Sequence, residues 1–470
     1  MADPADERRG EGGRDRRVAD QGGPDDHRRA DRDEVEHVAA QPIGDLGRTV
    51  DQPPDLQVDA RGELDLGDGL FDKAQARFGY SDYTHTEFEG TATGTVFDVM
   101  EAMLAPLGFA VHRAISGEAP DGPVENLFAV RPGPEGSRHF AFAGHVDVVP
   151  PGEGWTQKPY GGDIVDGKIY GRASAVSKCD FSTFTFATRA LEAVNLAENH
   201  KLNGNLELHF TYDEEFGGLL GPGWLLDQGL TQPDLMIAAG FSYQVVTAHN
   251  GCLQMEVTVH GKMAHAAIPE TGVDALQGAV AVLNALYHQN TLYKAITSKV
   301  EGINHPYVNV GLIEGGTNTN VIPGKVTLKL DRRMIPEENP VDVEASIRQV
   351  IADAVATFNQ GRAADMQISV DIKRMLMAHS MQPLAGNKPL VDAIQKHGEQ
   401  LFGEPIPAMG TPLYTDVRLY SERGIPGVIY GAGPRTVLES HAKRADERLD
   451  LEDLRRATKV IARTLQDLLG

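Results

Sequence analysis

The residues best suited to chemistry lie just after apolar segments of the chain. His145 and Asp147 follow the apolar run 140–143, and the acidic triplet 213–215 follows an alternating segment. An imidazole and a carboxylate two residues apart at the end of a strand lie on the same side of its tip. Two adjacent carboxylates can supply one metal ligand and one free base, and the distant His441 can complete the site once the chain folds back. Metal-assisted hydrolysis requires imidazole and carboxylate ligands, an open position for water and a carboxylate that accepts the proton.

The composition bounds the class of protein. The chain has 470 residues, of which 41% are hydrophobic, and this is enough for two or three domains with a large core. Its net charge of -23 argues against a nucleic-acid partner, because binding to phosphates requires clustered Lys and Arg. No apolar run reaches membrane-spanning length, so no membrane partner is expected. The two cysteines, Cys179 and Cys252, have no metal-binding spacing and favour a reducing cytoplasm.

The first 70 residues differ in composition from the rest. They contain no aromatic residue before Phe71 and no lysine before Lys73, and they are dense in Arg, Asp, Gly and Pro. Such a segment cannot bury enough apolar area to offset the entropy lost on ordering. The composition therefore predicts a disordered tail over residues 1–70, or a start codon assigned too far upstream.

From residue 71 onwards, apolar patterns typical of strands and of helices alternate. Strands are predicted over 126–130, 139–143, 205–211, 235–239 and 427–430, and helices over 96–105, 181–196, 389–401 and 451–468. This alternation is typical of an α/β fold with a mixed, mostly parallel sheet, whose sites lie at the carboxyl ends of the strands. We assign residues 71–252 and 374–470 to this catalytic, metal-binding domain.

A second pattern interrupts that domain. Strands are predicted over 253–260, 307–313, 325–330 and 366–372, and helices over 272–287 and 341–358. Their order, β-α-β-β-α-β, is the ferredoxin-like arrangement. The sequence therefore predicts an inserted domain over residues 253–373.

Taken together, the motifs resemble those of the aminoacylase, acetylornithine deacetylase, succinyl-diaminopimelate desuccinylase and carboxypeptidase-G family of metallohydrolases. The resemblance extends from about residue 75 to the C-terminus, and many separate motifs occur in the same order. The matching motifs are Gly144-His145-Val146-Asp147 with Pro150-Pro151 and Trp155, Asp166 to Arg172, Asp213-Glu214-Glu215, Gly261 to Ala266, Gly315-Gly316, Asn320 to Pro323, Asp331-Arg332-Arg333 and Ser440-His441.

The resemblance implies roles around a metal centre. His145, Glu215 and His441 would be metal ligands. Asp147 would orient His145 through a hydrogen bond and fix its tautomer. Glu214 would be the general base that deprotonates the attacking water.

The resemblance also implies residues for substrate binding and for assembly. His265 of the inserted domain would stabilise negative charge on the substrate. In this family that histidine reaches the active site of the partner subunit, so a homodimer is implied and the inserted domain would be a dimerisation or lid domain. Arg333 would hold a substrate carboxylate with its planar guanidinium, and Asn320 and Phe241 are further candidates for substrate binding.

Two positions depart from the two-metal members of the family. Val176 stands where those members have an aspartate that bridges the metals, and Phe241 stands where they have another acidic ligand. Neither side chain can bind a metal. The three remaining ligands imply one divalent metal per subunit, which Mn, Zn, Co or Fe could satisfy. Asp180, His249 or Asp147 could supply a further ligand.

These features favour a metal-dependent hydrolase that cleaves a C–N bond in a small carboxylate-bearing substrate. The replacements at 175–178 and 240–243 are similar to those of single-metal relatives that replace an aromatic amine by hydroxide, and Phe241 and Tyr243 would add aromatic surface. They imply deamination of 5-nitroanthranilate to 5-nitrosalicylate and ammonia. An N-acyl-amino-acid deacylase or small-peptide hydrolase is the alternative enzyme. A metal-free, non-catalytic binding module is the alternative from another class.

Overall fold

The computed structural model describes residues 57–65, 73–81, 94–119, 122–175, 177–198 and 202–470. Most of the predicted tail and the substitution at Val176 lie outside the described residues. Within the predicted tail, Gln57–Asp65 is a strand that pairs antiparallel with Lys73–Ser81.

The strands and helices are numbered in chain order. The strands are β1 (Gln57–Asp65), β2 (Lys73–Ser81), β3 (Ala110–Ala119), β4 (Gly122–Arg131), β5 (Arg138–His145), β6 (Ile164–Val165), β7 (Lys168–Tyr170), β8 (Gly204–Thr211), β9 (Leu235–Ala238), β10 (Val245–His249), β11 (Gly251–His260), β12 (Ala264–His265), β13 (Tyr307–Gly315), β14 (Val321–Ile322), β15 (Lys325–Met334), β16 (Ser369–Ala378), β17 (Ala408–Thr411), β18 (Gly427–Ile429) and β19 (Arg448–Asp450). The α-helices are α1 (Gly94–Leu104), α2 (Lys178–Glu198), α3 (Pro222–Asp227), α4 (Ala275–Tyr293), α5 (Pro340–Asn359), α6 (Lys388–Phe402), α7 (Arg418–Ser421), α8 (Val437–Ser440) and α9 (Leu451–Leu469).

The larger of the described sheets has eight strands in the order β17-β10-β18-β9-β5-β8-β4-β3. Four of its seven neighbouring pairs are parallel and three are antiparallel, which confirms the predicted mixed, mostly parallel sheet. Strands β9, β5 and β8 lie side by side and parallel, so their carboxyl ends meet at one edge. His145 closes β5, and Glu214 and Phe241 follow shortly after β8 and β9.

Burial explains why β5 forms and why its end is fixed. Phe140, Ala141 and Phe142 are fully buried, as expected of a strand covered on both faces. Phe142 stacks on Phe184 of α2, with 4.4 Å between the ring centroids. Burying each phenylalanine contributes roughly 1.5–3 kcal/mol. The strand that carries His145 is therefore anchored in the core.

The second sheet has four antiparallel strands in the order β13-β15-β11-β16. The chain order of its elements, β11-α4-β13-β15-α5-β16, is the predicted β-α-β-β-α-β order. Alternate residues of β15 are buried, which is typical of a sheet with one covered face. Residues of α4 and α5, such as Leu286 and Ile347, pack against this face beside Val257 and Leu328. The domain boundaries at 253 and 373 stay predictions.

Several short strands escape prediction from the sequence. Strands β10 and β17 have five and four residues, which is too short for an apolar period to stand out. They form because they pair with each other and because β10 also pairs with β18. The omission matters, because the loop after β17 reaches the candidate site.

None of the described helices combines the length and the hydropathy that are needed to cross a lipid bilayer. Cys179 and Cys252 are buried free thiols. The cytoplasmic location inferred from the two cysteines stays a prediction.

A buried polar cluster in the large sheet gives a prediction about acid stability. Burial alone would raise the pKa of Glu207, but hydrogen bonds from His209 and Thr231 outweigh burial and lower this pKa to about 2. A carboxyl whose folded-state pKa is depressed adds stability above its unfolded pKa, near 4.5, and this stability is lost as the pH falls towards 2. We expect Glu207→Gln to lower the free energy of unfolding by about 3 kcal/mol at pH 7 and by much less at pH 2.

The measurement is urea unfolding of both proteins between pH 7 and pH 2. Glu118→Gln, at an exposed position of β3, is the control and should show no such trend. A difference between the wild type and Glu207→Gln that stays constant across this pH range would contradict the prediction.

Candidate active site

The carboxyl edge of the large sheet opens into a cavity of about 320 Å³. This volume is typical of a site for a small molecule. Six of the nine predicted site residues line it, namely His145, Asp147, Glu214, Glu215, Phe241 and Arg333. Three do not line it, namely His265, Asn320 and His441.

His145 is fixed through both its backbone and its ring. Ser177 Oγ accepts a hydrogen bond from His145 N at 3.0 Å and lies 3.1 Å from His145 O. His145 Nδ1 lies 3.0 Å from Asp147 Oδ1, while Asp147 Oδ2 accepts a hydrogen bond from Glu215 N at 2.9 Å. Asp147 therefore orients the imidazole and ties the end of β5 to the turn after β8.

Glu214 lies in the 3₁₀ turn Glu214–Phe216, directly after β8. Its Oε2 is 3.9 Å from His145 Nε2. Burial raises the pKa of Glu214 above its usual range, although the charge of His145 opposes this. Burial lowers the pKa of His145, but the carboxylates of Glu214 and Asp147 outweigh it and the net pKa is raised. A buried carboxyl beside an imidazole is suited to accepting and returning a proton.

Glu215, one of the predicted metal ligands, is paired with a lysine. Lys443 Nζ lies 2.7 Å from Glu215 Oε2, and Lys443 also lines the cavity. The His441 ring instead faces the guanidinium of Arg448, with 3.4 Å between His441 Nε2 and Arg448 Nη2. The structure therefore does not bring the three predicted metal ligands together.

The side chains as arranged do not fit the predicted single-metal site. Within the described ranges, no three side chains of His, Cys, Asp or Glu are placed so that they could hold a metal ion. In this arrangement an ammonium group engages Glu215, and His441, with φ 56°, lies at the end of α8.

Arg333 reaches the cavity from β15 of the second sheet. Its Nε donates to Asp331 Oδ1 at 2.7 Å and its Nη2 donates to Asp331 Oδ2 at 3.2 Å. The guanidinium carbon lies 5.4 Å from the ring centroid of Tyr414. The neighbouring Arg332 is buried, is paired with Glu338 and does not line the cavity, whereas Arg333 does.

Of the two predicted aromatic residues, Phe241 lines the cavity and Tyr243 does not. The Tyr243 hydroxyl donates to Asp453 Oδ1 at 2.7 Å, and the guanidinium carbon of Arg435 lies 3.6 Å from its ring centroid. Tyr414, from the loop after β17, supplies the second aromatic surface of the cavity instead.

His265 and Asn320 are neighbours on the surface of the inserted segment. Strand β12 pairs with β14, and Ala266 N donates to Asn320 O at 3.0 Å. Both side chains belong to exposed residues. Their roles in substrate binding and catalysis stay predictions.

Two of the three reserve ligands, Asp180 and His249, are committed to backbone groups. The oxygens of Asp180 accept hydrogen bonds from Gly240 N at 3.1 Å and from Ala432 N at 2.7 Å. His249 Nε2 accepts a hydrogen bond from Thr415 N at 3.3 Å, and its Nδ1 lies 2.8 Å from the next carbonyl oxygen. Burial lowers the pKa of His249 to about 4, which keeps this imidazole neutral. Both residues hold loops around the cavity in place.

Tyr414, Asp416 and Lys443 are among the cavity residues that were missed in the sequence. Burial raises the pKa of Asp416, and the charge of His145 opposes this. Polar residues shortly after a strand can indicate a site, and Tyr414 and Asp416 follow β17 in this way. The signal was lost because β17 is too short to be recognised from the sequence. Lys443 had no signal beyond its place two residues after His441.

The chain resembles known proteins in sequence and in fold. Residues 141–467 match the family described as peptidase family M20/M25/M40. Over 269 residues the chain is 35% identical to a succinyl-diaminopimelate desuccinylase of Novosphingobium aromaticivorans, a match that covers 55% of this chain and 68% of the relative. Human carnosine dipeptidase 1 has a similar fold, with a TM-score of 0.61 and 19% identity over 80% of this chain and 90% of that one. An M20 family metallo-carboxypeptidase of Sulfolobus solfataricus gives a TM-score of 0.60 with 18% identity over 79% of this chain and 92% of that one.

Proposed function

The chain belongs to peptidase family M20/M25/M40, and from that premise we propose that it hydrolyses the amide bond of a small N-acylated amino acid. It is a hydrolase of C–N bonds in a metal-dependent family, and a divalent metal is consistent with that membership. The alternative of a non-catalytic binding module is not supported.

The comparisons favour the deacylase hypothesis over aromatic deamination. The relative with 35% identity is named as a desuccinylase, and the similar folds are those of a dipeptidase and a carboxypeptidase. Deamination of 5-nitroanthranilate has no such support. It stays the second candidate because Phe241 and Tyr414 give the cavity two aromatic surfaces.

One observation carries the proposal: Glu214, His145 and Arg333 share a single cavity of about 320 Å³. The imidazole and carboxylate can handle the proton transfers of amide hydrolysis, and the guanidinium can bind a carboxylate. These groups come from two different sheets, so a substrate that meets both must carry its carboxylate and its amide within this one cavity.

We assign the proton transfers to Glu214. It accepts a proton from the attacking water and donates that proton to the leaving nitrogen when the C–N bond breaks. Asp147 holds the imidazole ring of His145 so that Nε2 faces the same space. The imidazole is thereby held beside the carboxylate that handles the proton.

We propose that His265 and Asn320 act across the interface of a homodimer. They lie outside the cavity of their own subunit and are exposed, so we propose that they face the cavity of the partner. Mixing Glu214→Gln and His265→Ala proteins, each inactive alone, should then restore activity, because one site of the mixed dimer has both residues intact. Mixtures that stay inactive although mixed dimers form would contradict a shared site.

A substrate panel tests the function directly. The purified full chain, with and without added Mn²⁺, Zn²⁺ or Co²⁺, would be assayed on N-succinyl and N-acetyl amino acids, on dipeptides and on 5-nitroanthranilate. Turnover of the acylated amino acids supports the proposal. Release of ammonia from 5-nitroanthranilate, without amide hydrolysis, would replace the proposal with the second candidate.

Arg333→Met should weaken the binding of carboxylate-bearing substrates. Hydrogen bonds to a charged group are worth about 1.5–3 kcal/mol, so we expect KM to rise about 10- to 100-fold with little change in kcat. Steady-state kinetics on an N-acyl amino acid and on the matching amide without the carboxylate would show this, because the second substrate should be unaffected.

Arg374→Met, at an exposed arginine paired with Glu344, is the matched control variant. Equal losses on both substrates would show that Arg333 supports the fold and does not recognise the carboxylate.

A further inference from the structure

The side chain of Lys443 lines the charged cavity. Its Nζ lies 2.7 Å from Glu215 Oε2. Glu215 N in turn donates to Asp147 Oδ2, and Asp147 Oδ1 lies 3.0 Å from His145 Nδ1. Glu215 and Asp147 therefore link the ammonium group of Lys443 to the imidazole of His145. The Lys443 side chain is 63% exposed, so it meets solvent at the mouth of the cavity.

The backbone that carries Lys443 is unusual. We call residues 441–447 the lysine loop. Five non-glycine residues of the described part have left-handed φ angles, and three of them lie in this loop, namely His441, Lys443 and Asp446. Residues other than glycine rarely adopt this backbone region, and those that do concentrate at functional sites. The left-handed turns direct Lys443 into the cavity and leave His441 outside it.

Contacts at the far end of the lysine loop hold this conformation. Asp446 Oδ1 accepts hydrogen bonds from Thr156 N at 2.8 Å and from Gln157 N at 3.2 Å. Lys443 N donates to Glu447 Oε2 at 3.3 Å, and the buried Glu447 is paired with a buried arginine. The position of Lys443 is thus fixed by residues that lie far from it in the sequence.

We propose that Lys443 is a built-in cation of this cavity that competes with divalent metal ions for Glu215. The ammonium group occupies the coordinating face of Glu215, and its positive charge repels a second cation at short range. Glu215 Oε2, one of the oxygens a metal ion would need, is therefore already engaged by an ammonium group. The proposal concerns cation binding and is independent of the substrate, so its failure can be told apart from failure of the proposed function.

Metal affinity tests the proposal without any assay of turnover. Titration calorimetry with Mn²⁺ and Zn²⁺, on metal-stripped full-length protein, would compare the wild type with Lys443→Met. We expect binding to be tighter in Lys443→Met by roughly tenfold or more, because a positive charge next to the site has been removed. Lys396→Met is the matched control, because Lys396 also forms a 2.7 Å ion pair, with Asp467, and does not line the cavity.

Two further variants separate charge from shape. Lys443→Arg retains the positive charge and should retain the affinity of the wild type. In a Glu215→Gln background, Lys443→Met should bring no gain, since the carboxylate for which the two cations compete is absent. Equal or weaker binding by Lys443→Met, no binding by either protein, or a gain that persists with Gln at position 215 would each overturn the proposal.

Discussion

Glu214→Gln is expected to lower kcat by about 10²- to 10⁴-fold, which is the usual contribution of a positioned general base. Gln has the shape of Glu but cannot accept a proton from water. The substitution leaves the Asp147 contacts to His145 and Glu215 in place, because they do not involve the Glu214 side chain. Substrate affinity should change little, and single-turnover kinetics on an N-acyl amino acid would separate the lost chemical step from binding.

The control for this variant is Glu118→Gln, which changes an exposed glutamate outside the cavity and should keep full activity. A cooperative thermal unfolding transition in both variants would show that both fold. Turnover of Glu214→Gln within tenfold of the wild type would remove Glu214 from the proton-transfer role.

Arg172→Met is expected to destabilise the fold by about 3–5 kcal/mol, because it leaves a buried carboxylate without its partner. Arg172 Nη1 lies 2.5 Å from Glu447 Oε2, and the two side chains are 2% and 3% exposed. Arg172 Nη2 also donates to Pro151 O at 2.8 Å. Since Glu447 holds the lysine loop, loss of the pair should loosen that loop as well as lower the free energy of unfolding.

Urea unfolding measures this effect. Arg348→Met removes a more exposed ion pair with Glu344 on one helix and should lower stability by less than about 1 kcal/mol. Replacing both partners, in Arg172→Met with Glu447→Leu, should recover most of the loss, because no buried charge is left unpaired. A single Arg172→Met variant as stable as the wild type would contradict the assignment of this pair as a buried anchor.

The part of the cavity formed by His145, Asp147, Glu214 and Glu215 could be predicted because its signals are local. A continuous apolar run forms β5, and a strand of that kind must end where its burial ends, which places His145 and Asp147 at its tip. The same reasoning places Glu214 and Glu215 after β8. Because β5 and β8 are parallel neighbours, both pairs arrive at the same edge of the sheet.

The rest of the site could not be predicted because its signals are not local. Asp416 and Tyr414 follow β17, a strand of four residues that exists through its pairing with β10. His249 looked like a reserve ligand, but the fold buries it and its ring nitrogens bond to backbone groups. In each case a distant part of the chain decides what the residue can do.

The sequence by itself determined the longer strands and helices, the β-α-β-β-α-β order of the second sheet and the residues at the ends of β5 and β8, because these follow from periodicity and burial along the chain. The tertiary structure alone decided which residue of this part of the chain contacts Glu215. His441 and Lys443 are two residues apart, and nothing in their spacing favours either. Lys443 makes the contact because the backbone around it is held in left-handed turns. Asp446 and Glu447 hold these turns through hydrogen bonds with Thr156 and Arg172, which lie 290 and 275 positions earlier.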